Sequence, residues 1–264
     1  MPKYGYLVVE GPHDVELVYR LLHFHGLERV RQEAELDPFF LQLVPRTYPP
    51  DGDLLKRVPV PLFLQSSTHA VAVHSAGSDT RIIETMEEDS VFLDTSKLTG
   101  IGVLFDADYA VSSSDRYAVI RERLREKGFS LPENPGEVKT GPPRLGGFVL
   151  PDNISAGTLE DILLDCANLV YPTLLTTATA HVDSASRDKT LEKQDLRELL
   201  RPAGRHKAIV GSIASILRPG KAVQNSLQDN RWLCEAALAI PRVRAIQIFL
   251  LNLLELTETA SATE

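Results

Sequence analysis

Residues 4–22 read YGYLVVEGPHDVELVYRLL, a stretch that changes from one type of secondary structure to another at a single glutamate. Residues 6–9 are apolar, as in a strand that is buried on both faces. From Asp14 onward the apolar residues return with helical spacing. Glu10 therefore lies between a strand and a helix, where parallel α/β sheets bind their ligands. It either caps the helix or serves as a functional carboxylate, and this stretch alone favours the cap.

The same alternation of strand and helix continues along the chain. Further strands are predicted at 69–77, 101–108 and 146–153, and helices at 78–89, 112–129 and 157–169. A proline-punctuated stretch at 43–67 interrupts the series and is interpreted as an insertion with one edge strand. Four strand–helix units predict an α/β fold with a mostly parallel four-stranded sheet and helices on both faces.

Beyond about residue 165 the pattern is helical only. We therefore expect an α/β domain at 1–165, a helical extension packed on it at 166–256, and a flexible tail at 257–264. With 264 residues, of which 43% are hydrophobic and 24% charged, the chain is long enough to bury a substantial core.

Targeting and cysteine patterns indicate a cytoplasmic protein with no membrane partner. The first residues lack the features of a signal peptide, and no apolar run is long enough to span a bilayer. Cys166 and Cys234 are far apart in sequence, which predicts reduced thiols rather than a disulfide framework or a cysteine metal site.

The distribution of charge bears on the choice of partner. A formal net charge of −8 argues against a general nucleic-acid coat protein, which binds by neutralising phosphates with Lys and Arg. Residues 197–244 nevertheless hold nine basic and three acidic residues. Such a segment suits nucleic acid or another phosphate-bearing partner, although solvated helix faces are the plainer interpretation.

Two aspartates end the third predicted strand. Asp106 and Asp108 are two residues apart, and in an extended chain this spacing sends both carboxylates to the same side. Two like charges so close are costly unless a cation joins them. Oxygen ligands without His or Cys favour Mg²⁺ or Mn²⁺. The pair is weak evidence alone, because such pairs also cap helices, but it occupies the same position after its strand as Glu10.

Glu10 together with Asp106 and Asp108 resembles the TOPRIM domain, the metal-binding α/β unit of topoisomerases, primases and OLD-family nucleases. The resemblance covers roughly residues 3–165. It implies that Glu10 joins the aspartate pair around Mg²⁺, as a ligand or as the general acid–base group. Asp14 lies where many members also have an aspartate, and there a first-turn helix carboxylate is an equally good interpretation.

The OLD-like branch implies further site residues in this chain. Glu160 and Asp161 follow the fourth strand, where OLD-like enzymes hold a second metal ion. Acidic residues in a first helical turn are the alternative, equal for Glu160 and preferred for Asp161. Lys207 corresponds to a lysine that stabilises transition-state charge, with a solvated lysine as the alternative.

Other residues are expected to support the structure. Gly11, Gly77 and Asn153 are candidates for shaping the turns around the site. His206 has no partner that the sequence identifies.

The leading hypothesis is a Mg²⁺-dependent phosphoryl-transfer enzyme, specifically an OLD-like TOPRIM nuclease. The chain lacks the accessory domains of the large TOPRIM proteins and resembles their small stand-alone relatives. We therefore expect a protein partner to supply specificity, with DNA, RNA or a smaller phosphate compound as substrate. The sequence does not fix the oligomeric state.

Two other functions remain open. One is a non-catalytic nucleic-acid-binding or scaffolding module that keeps the fold. The other, less favoured, is a haloacid-dehalogenase-like phosphatase with Asp106 as nucleophile. Tyr109 and Ala110 after the aspartate pair do not fit the pattern of that family.

Overall fold

A computed structural model describes residues 2–46 and 60–257 and places a seven-stranded sheet at the centre of the protein. Its strands are β1 (Lys3–Val9), β2 (Glu28–Arg29), β3 (Leu62–Gln65), β4 (His69–Ser75), β5 (Leu98–Asp106), β6 (Val138–Lys139) and β7 (Arg144–Leu150). The strand order is β2-β3-β4-β1-β5-β7-β6. The four central strands, β4, β1, β5 and β7, are parallel. The predicted α/β class is confirmed.

The sheet is larger than the predicted four strands because short antiparallel strands extend both of its sides. β3 pairs with β4 and β2 pairs with β3, while β6 pairs with β7. The insertion at 43–67 does contribute one strand, β3, but β2 rather than β3 lies at the edge. Residues 47–59 of that insertion lie outside the described residues.

Helices cover both faces of the sheet, as the strand–helix alternation predicted. They are α1 (Pro12–His23), α2 (Ile82–Ser90), α3 (Ser113–Glu126), α4 (Leu159–Val170), α5 (Pro172–Ala185), α6 (Gly204–Leu217), α7 (Val223–Asp229) and α8 (Pro241–Leu254). Alternate residues of β1 enter different cores. Leu7 and Val9 pack with α1, α4 and the later helices, whereas Tyr6 and Val8 pack with α2 and α3. Burial on both faces explains the nearly continuous apolar run of this strand.

The last helix is an integral layer of the fold. α8 contacts β1, β5 and β7, where glycines leave room for its side chains. A Cβ atom on Gly100 would lie 2.2 Å from the carbonyl oxygen of Leu253, and one on Gly146 would lie 2.8 Å from the Phe249 ring. The predicted boundary at residue 165 falls inside α4, and the helices after it share one core with the sheet.

Across residues 2–46 and 60–257, no helix combines the length and the apolar character that a membrane span requires.

Candidate functional site

Glu10 is held at the carboxyl edge of the parallel strands by a backbone contact. Its Oε2 accepts a hydrogen bond of 3.2 Å from the backbone N–H of Asp106, at the end of the neighbouring strand β5. The N-cap of α1 is Gly11, whose N–H donates to Asp14 Oδ2 at 2.7 Å. Gly11 and Asp14 therefore cap α1, and the carboxylate of Glu10 faces β5 instead.

Four carboxylates from separate parts of the fold form an acidic cluster at this edge: Glu10 after β1, Asp14 in α1, Asp106 at the end of β5 and Glu160 in α4. Burial raises the pKa of Asp14 to about 8, with Glu10 and Glu160 adding to it and the Gly11 hydrogen bond opposing it. Burial and the other three carboxylates also raise the pKa of Asp106 well above its ordinary value. Ionising the whole cluster is therefore costly without an added cation.

The pKa of Glu10 is raised as well. Burial is the main cause, and the Asp106 hydrogen bond and the Arg116 guanidinium oppose it. Glu10 thus belongs to the same electrostatic group as the three other carboxylates, and it is the member that Arg116 approaches, at 3.6 Å.

Asp106 and Asp108 have hydrogen-bond partners in two different helices. Asp106 Oδ1 accepts a 2.9 Å hydrogen bond from the N–H of Leu159, at the start of α4. Asp108 Oδ2 accepts a 2.6 Å hydrogen bond from Arg116 Nη1, on α3. This differs from the expectation of two carboxylates on one side. Asp108 has a φ of +59°, which breaks the extended alternation on which that expectation rested.

Backbone pairing holds Asp108 in this conformation. Its N–H donates to the carbonyl of Gly157 at 2.8 Å, and the N–H of Gly157 donates back at 2.9 Å. The loop after β5 is thereby joined to the loop that precedes α4. Asp106, Asp108 and the start of α4 consequently keep a fixed relation to one another.

Arg116 is a site residue that the sequence analysis missed. Besides contacting Asp108, its Nη2 lies 3.2 Å from Asp79 Oδ2 and 3.6 Å from Glu10 Oε2. Its side chain is 14% exposed. One guanidinium therefore links three carboxylates, two of which are predicted metal ligands.

Asp161 is the centre of a second polar group at the start of α4. It accepts hydrogen bonds from the N–H of Thr158 at 2.8 Å and from the hydroxyl of Tyr109 at 2.9 Å. His206 Nδ1 lies 3.1 Å from the other carboxylate oxygen. Asp161 thus has a capping and positioning role, which was its preferred interpretation, and His206 gains partners that the sequence did not identify.

Lys207 lies in the first turn of α6, and its charge changes the pKa of two residues in α1. Burial lowers the pKa of His13, and the Lys207 ammonium lowers it further against the opposing effect of Glu160. The same ammonium lowers the pKa of Asp14 against the larger effect of burial. α1, α4 and α6 thus begin at one place, and their positive dipole ends favour negative charge there.

The predicted turn residues occupy turns that surround the site. Gly77 after β4 has a φ of +82°, and Asn153 after β7 has a φ of +68°. The Asn153 Oδ1 also accepts a 2.8 Å hydrogen bond from the N–H of Val149. Glycine and asparagine are the residues that tolerate this left-handed backbone best.

The donor chemistry of the acidic cluster fits a hard divalent cation, since it consists of buried carboxylates whose ionisation needs positive charge. The arrangement is not a ready-made metal centre. Within residues 2–46 and 60–257, no three His, Cys, Asp or Glu side chains are close enough together to hold a metal ion. Arg116 also lies against Glu10 and Asp108. A cation held by Glu10 and Asp108 would take the place of Arg116 at these two carboxylates.

Residues 4–253 match the family described as a protein of unknown function (DUF3226). The chain belongs to the DUF3226 family. Comparison of this DUF3226 chain with curated proteins gives no match. Among solved structures it is similar to the crystal structure of hypothetical protein PH0156 from Pyrococcus horikoshii OT3. The identity is 18%, the coverage 96% of each chain and the TM-score 0.50. That similarity concerns the fold alone.

Proposed function

We propose that this protein is a TOPRIM-like, Mg²⁺- or Mn²⁺-dependent phosphoryl-transfer enzyme, specifically an OLD-like nuclease that acts on DNA or RNA. One observation carries the proposal: the acidic cluster of Glu10, Asp14, Asp106 and Glu160 lies at the carboxyl edge of parallel strands, with Lys207 beside it. In α/β proteins this edge is where ligands bind. Perturbed carboxylates in such a position mark candidate functional groups.

The side chains divide into distinct roles under this proposal. Glu10, Asp106 and Glu160 hold the cation, and Asp108 joins them when Arg116 has moved. A bound divalent cation activates water and offsets charge on the phosphate. Glu10 has a second role open to it, as general acid–base group. Asp161 remains a predicted ligand of a second cation, and the hydrogen bond that it accepts from the Thr158 N–H orients the start of α4.

Lys207 supplies a positive charge that does not depend on metal. Its ammonium lies close enough to Asp14 to influence ionisation there. We propose that it stabilises the charge that develops on the phosphate. The basic segment at 197–244, in which Lys207 lies, is the proposed contact for nucleic acid. A cytoplasmic location and a protein partner that supplies specificity complete the proposal.

A cleavage assay with paired variants tests the enzyme proposal. Purified protein is incubated with single-stranded DNA, duplex DNA, structured RNA and nucleoside triphosphates, with Mg²⁺, Mn²⁺ or EDTA. We expect metal-dependent cleavage of at least one nucleic acid. Glu10→Gln should abolish it, and Lys207→Ala should lower the rate while leaving metal binding intact. Exposed Glu192 and Lys189, which lie outside the basic segment, provide the controls Glu192→Gln and Lys189→Ala, which should leave the rate unchanged.

The outcomes separate the candidate functions. Cleavage that survives Glu10→Gln would contradict the assignment of the site. Hydrolysis of a small phosphomonoester through an aspartyl-phosphate on Asp106 would support the phosphatase alternative instead. Full activity in Lys207→Ala would remove the lysine from the mechanism and leave the carboxylates in it.

A non-catalytic nucleic-acid-binding module is the second candidate, and one observation favours it. Arg116 already neutralises part of the acidic charge, because it contacts Asp79 and Asp108 and approaches Glu10. A protein that never binds metal would benefit from such an internal cation. Tight nucleic-acid binding that is insensitive to Glu10→Gln, without turnover of any phosphate substrate, is the result that this candidate predicts.

A further inference from the structure

Arg116 occupies the position beside Glu10 and Asp108 that a divalent cation would take in a metal-dependent site. Its guanidinium lies within 4 Å of three carboxylates, and the shortest contact is 2.6 Å, from Nη1 to Asp108 Oδ2. Two of these carboxylates, Glu10 and Asp108, are the ones that the proposed function assigns to metal. A guanidinium and a divalent cation cannot share the same carboxylate oxygens without strong repulsion.

We propose that Arg116 competes with the divalent cation for Glu10 and Asp108 and, once displaced, binds the phosphate of the substrate. This inference rests on the proposed function and deepens it. The guanidinium is permanently charged, and its fork of donors matches two phosphate oxygens as well as two carboxylate oxygens.

Asp79 gives the guanidinium an anchor that it keeps during this exchange. Asp79 is assigned no metal and lies 3.2 Å from Nη2, in the turn before α2. When the cation takes Glu10 and Asp108, Arg116 retains this partner and frees its Nη1. Asp79 and Arg116 also line a cavity of about 240 Å³ that continues along α3 to Val119 and Arg123. The freed donor therefore stays at the site, beside an opening to solvent.

Metal affinity without substrate tests the competition. Calorimetric titration with Mn²⁺ compares the wild type with Arg116→Gln, which removes the charge but retains a polar side chain. The control is Arg125→Gln, which removes the same charge from an exposed position nine residues further along α3, outside that cavity. We expect Arg116→Gln to bind Mn²⁺ roughly tenfold more tightly, as the loss of a competing ion pair of about 1.4 kcal/mol would give. Arg125→Gln should match the wild type.

Inorganic phosphate tests the second half of the inference. With Mn²⁺ saturating, phosphate should bind more weakly to Arg116→Gln than to the wild type or to Arg125→Gln. Arg116→Lys keeps the charge but not the forked donors, and it should fall between the wild type and Arg116→Gln in both titrations. Circular dichroism and melting curves establish that each variant is folded. If Arg116→Gln does not fold, Arg116→Lys is compared with the wild type in its place.

The possible results distinguish failure of this inference from failure of the proposed function. Mn²⁺ binding of equal strength in wild type and Arg116→Gln would overturn the competition and leave the enzyme proposal intact. Binding in Arg116→Gln but not in wild type would support the competition strongly. No Mn²⁺ binding in any variant would overturn the proposed function and this inference together.

Discussion

Asp14 is a buried carboxylate of the site whose ionisation is costly. An aspartate in an unfolded chain has a pKa of about 4, whereas burial raises the pKa of Asp14 to about 8 in the folded protein. Between these two values the folded protein keeps a proton that the unfolded chain has lost. The free energy of unfolding of the metal-free protein should therefore decrease as the pH rises through this window.

Asp14→Asn should make the free energy of unfolding depend less on pH, because asparagine cannot ionise. Asparagine also keeps an oxygen acceptor for the N–H of Gly11. We expect the variant to be more stable than the wild type at about pH 8 and to differ little below about pH 4, where both side chains are neutral. Urea denaturation in EDTA at several pH values measures this. Equal dependence on pH in the two proteins would show that Asp14 does not titrate as the geometry requires.

Single residues also show where sequence reasoning reaches its limit. Glu10 and Asp106 could be predicted because each directly follows a strand of recognisable pattern. Arg116 could not, because it lies on a helix with several other charged residues and spacing does not distinguish it from them. Tyr109 and His206 come within 3.2 Å of each other only through the fold, since 97 positions separate them in the chain.

At the scale of elements, strands buried on both faces were the most predictable. β1, β4, β5 and β7 have long apolar runs, and all four were anticipated from them. β2 and β6 are two residues long and carry no period that a sequence pattern can show. Only pairing with a neighbouring strand defines them.

The close packing of α8 on the sheet can be tested by substituting a glycine that α8 contacts. A Cβ atom at Gly100 would lie 2.2 Å from a backbone oxygen of α8, which cannot move without shifting the helix. Gly100→Ala should therefore lower the free energy of unfolding by about 3 kcal/mol, as overpacking of a core does.

Gly211 in α6 provides the matched control, because none of the described residues 2–46 and 60–257 comes within 4 Å of a Cβ atom placed there. Gly211→Ala should raise stability by up to about 1 kcal/mol, since alanine favours a helix interior. Melting temperature and denaturant titration measure both effects. Similar effects of the two substitutions would contradict the close contact between α8 and β5.

At the scale of the whole molecule, the site depends on segments from most of the chain. Glu10 follows β1, while Asp106, Glu160 and Lys207 lie in β5, α4 and α6, and the sheet and the starts of these helices bring them together. Sequence reasoning could place the first three at one edge because carboxyl ends of parallel strands share an edge. It had no such rule for α6, and Lys207 was proposed chiefly from the family resemblance.

The most direct test of the account is where a Mn²⁺ ion binds. Crystals of the protein soaked in Mn²⁺ should show an anomalous scattering peak in contact with the carboxylates of Glu10 and Asp106, and Arg116 should have moved away from Asp108. Asp106→Asn combined with Asp108→Asn should remove the peak. Saturating Mn²⁺ with no peak at this edge, or a peak that survives the double substitution, would contradict the proposed metal site.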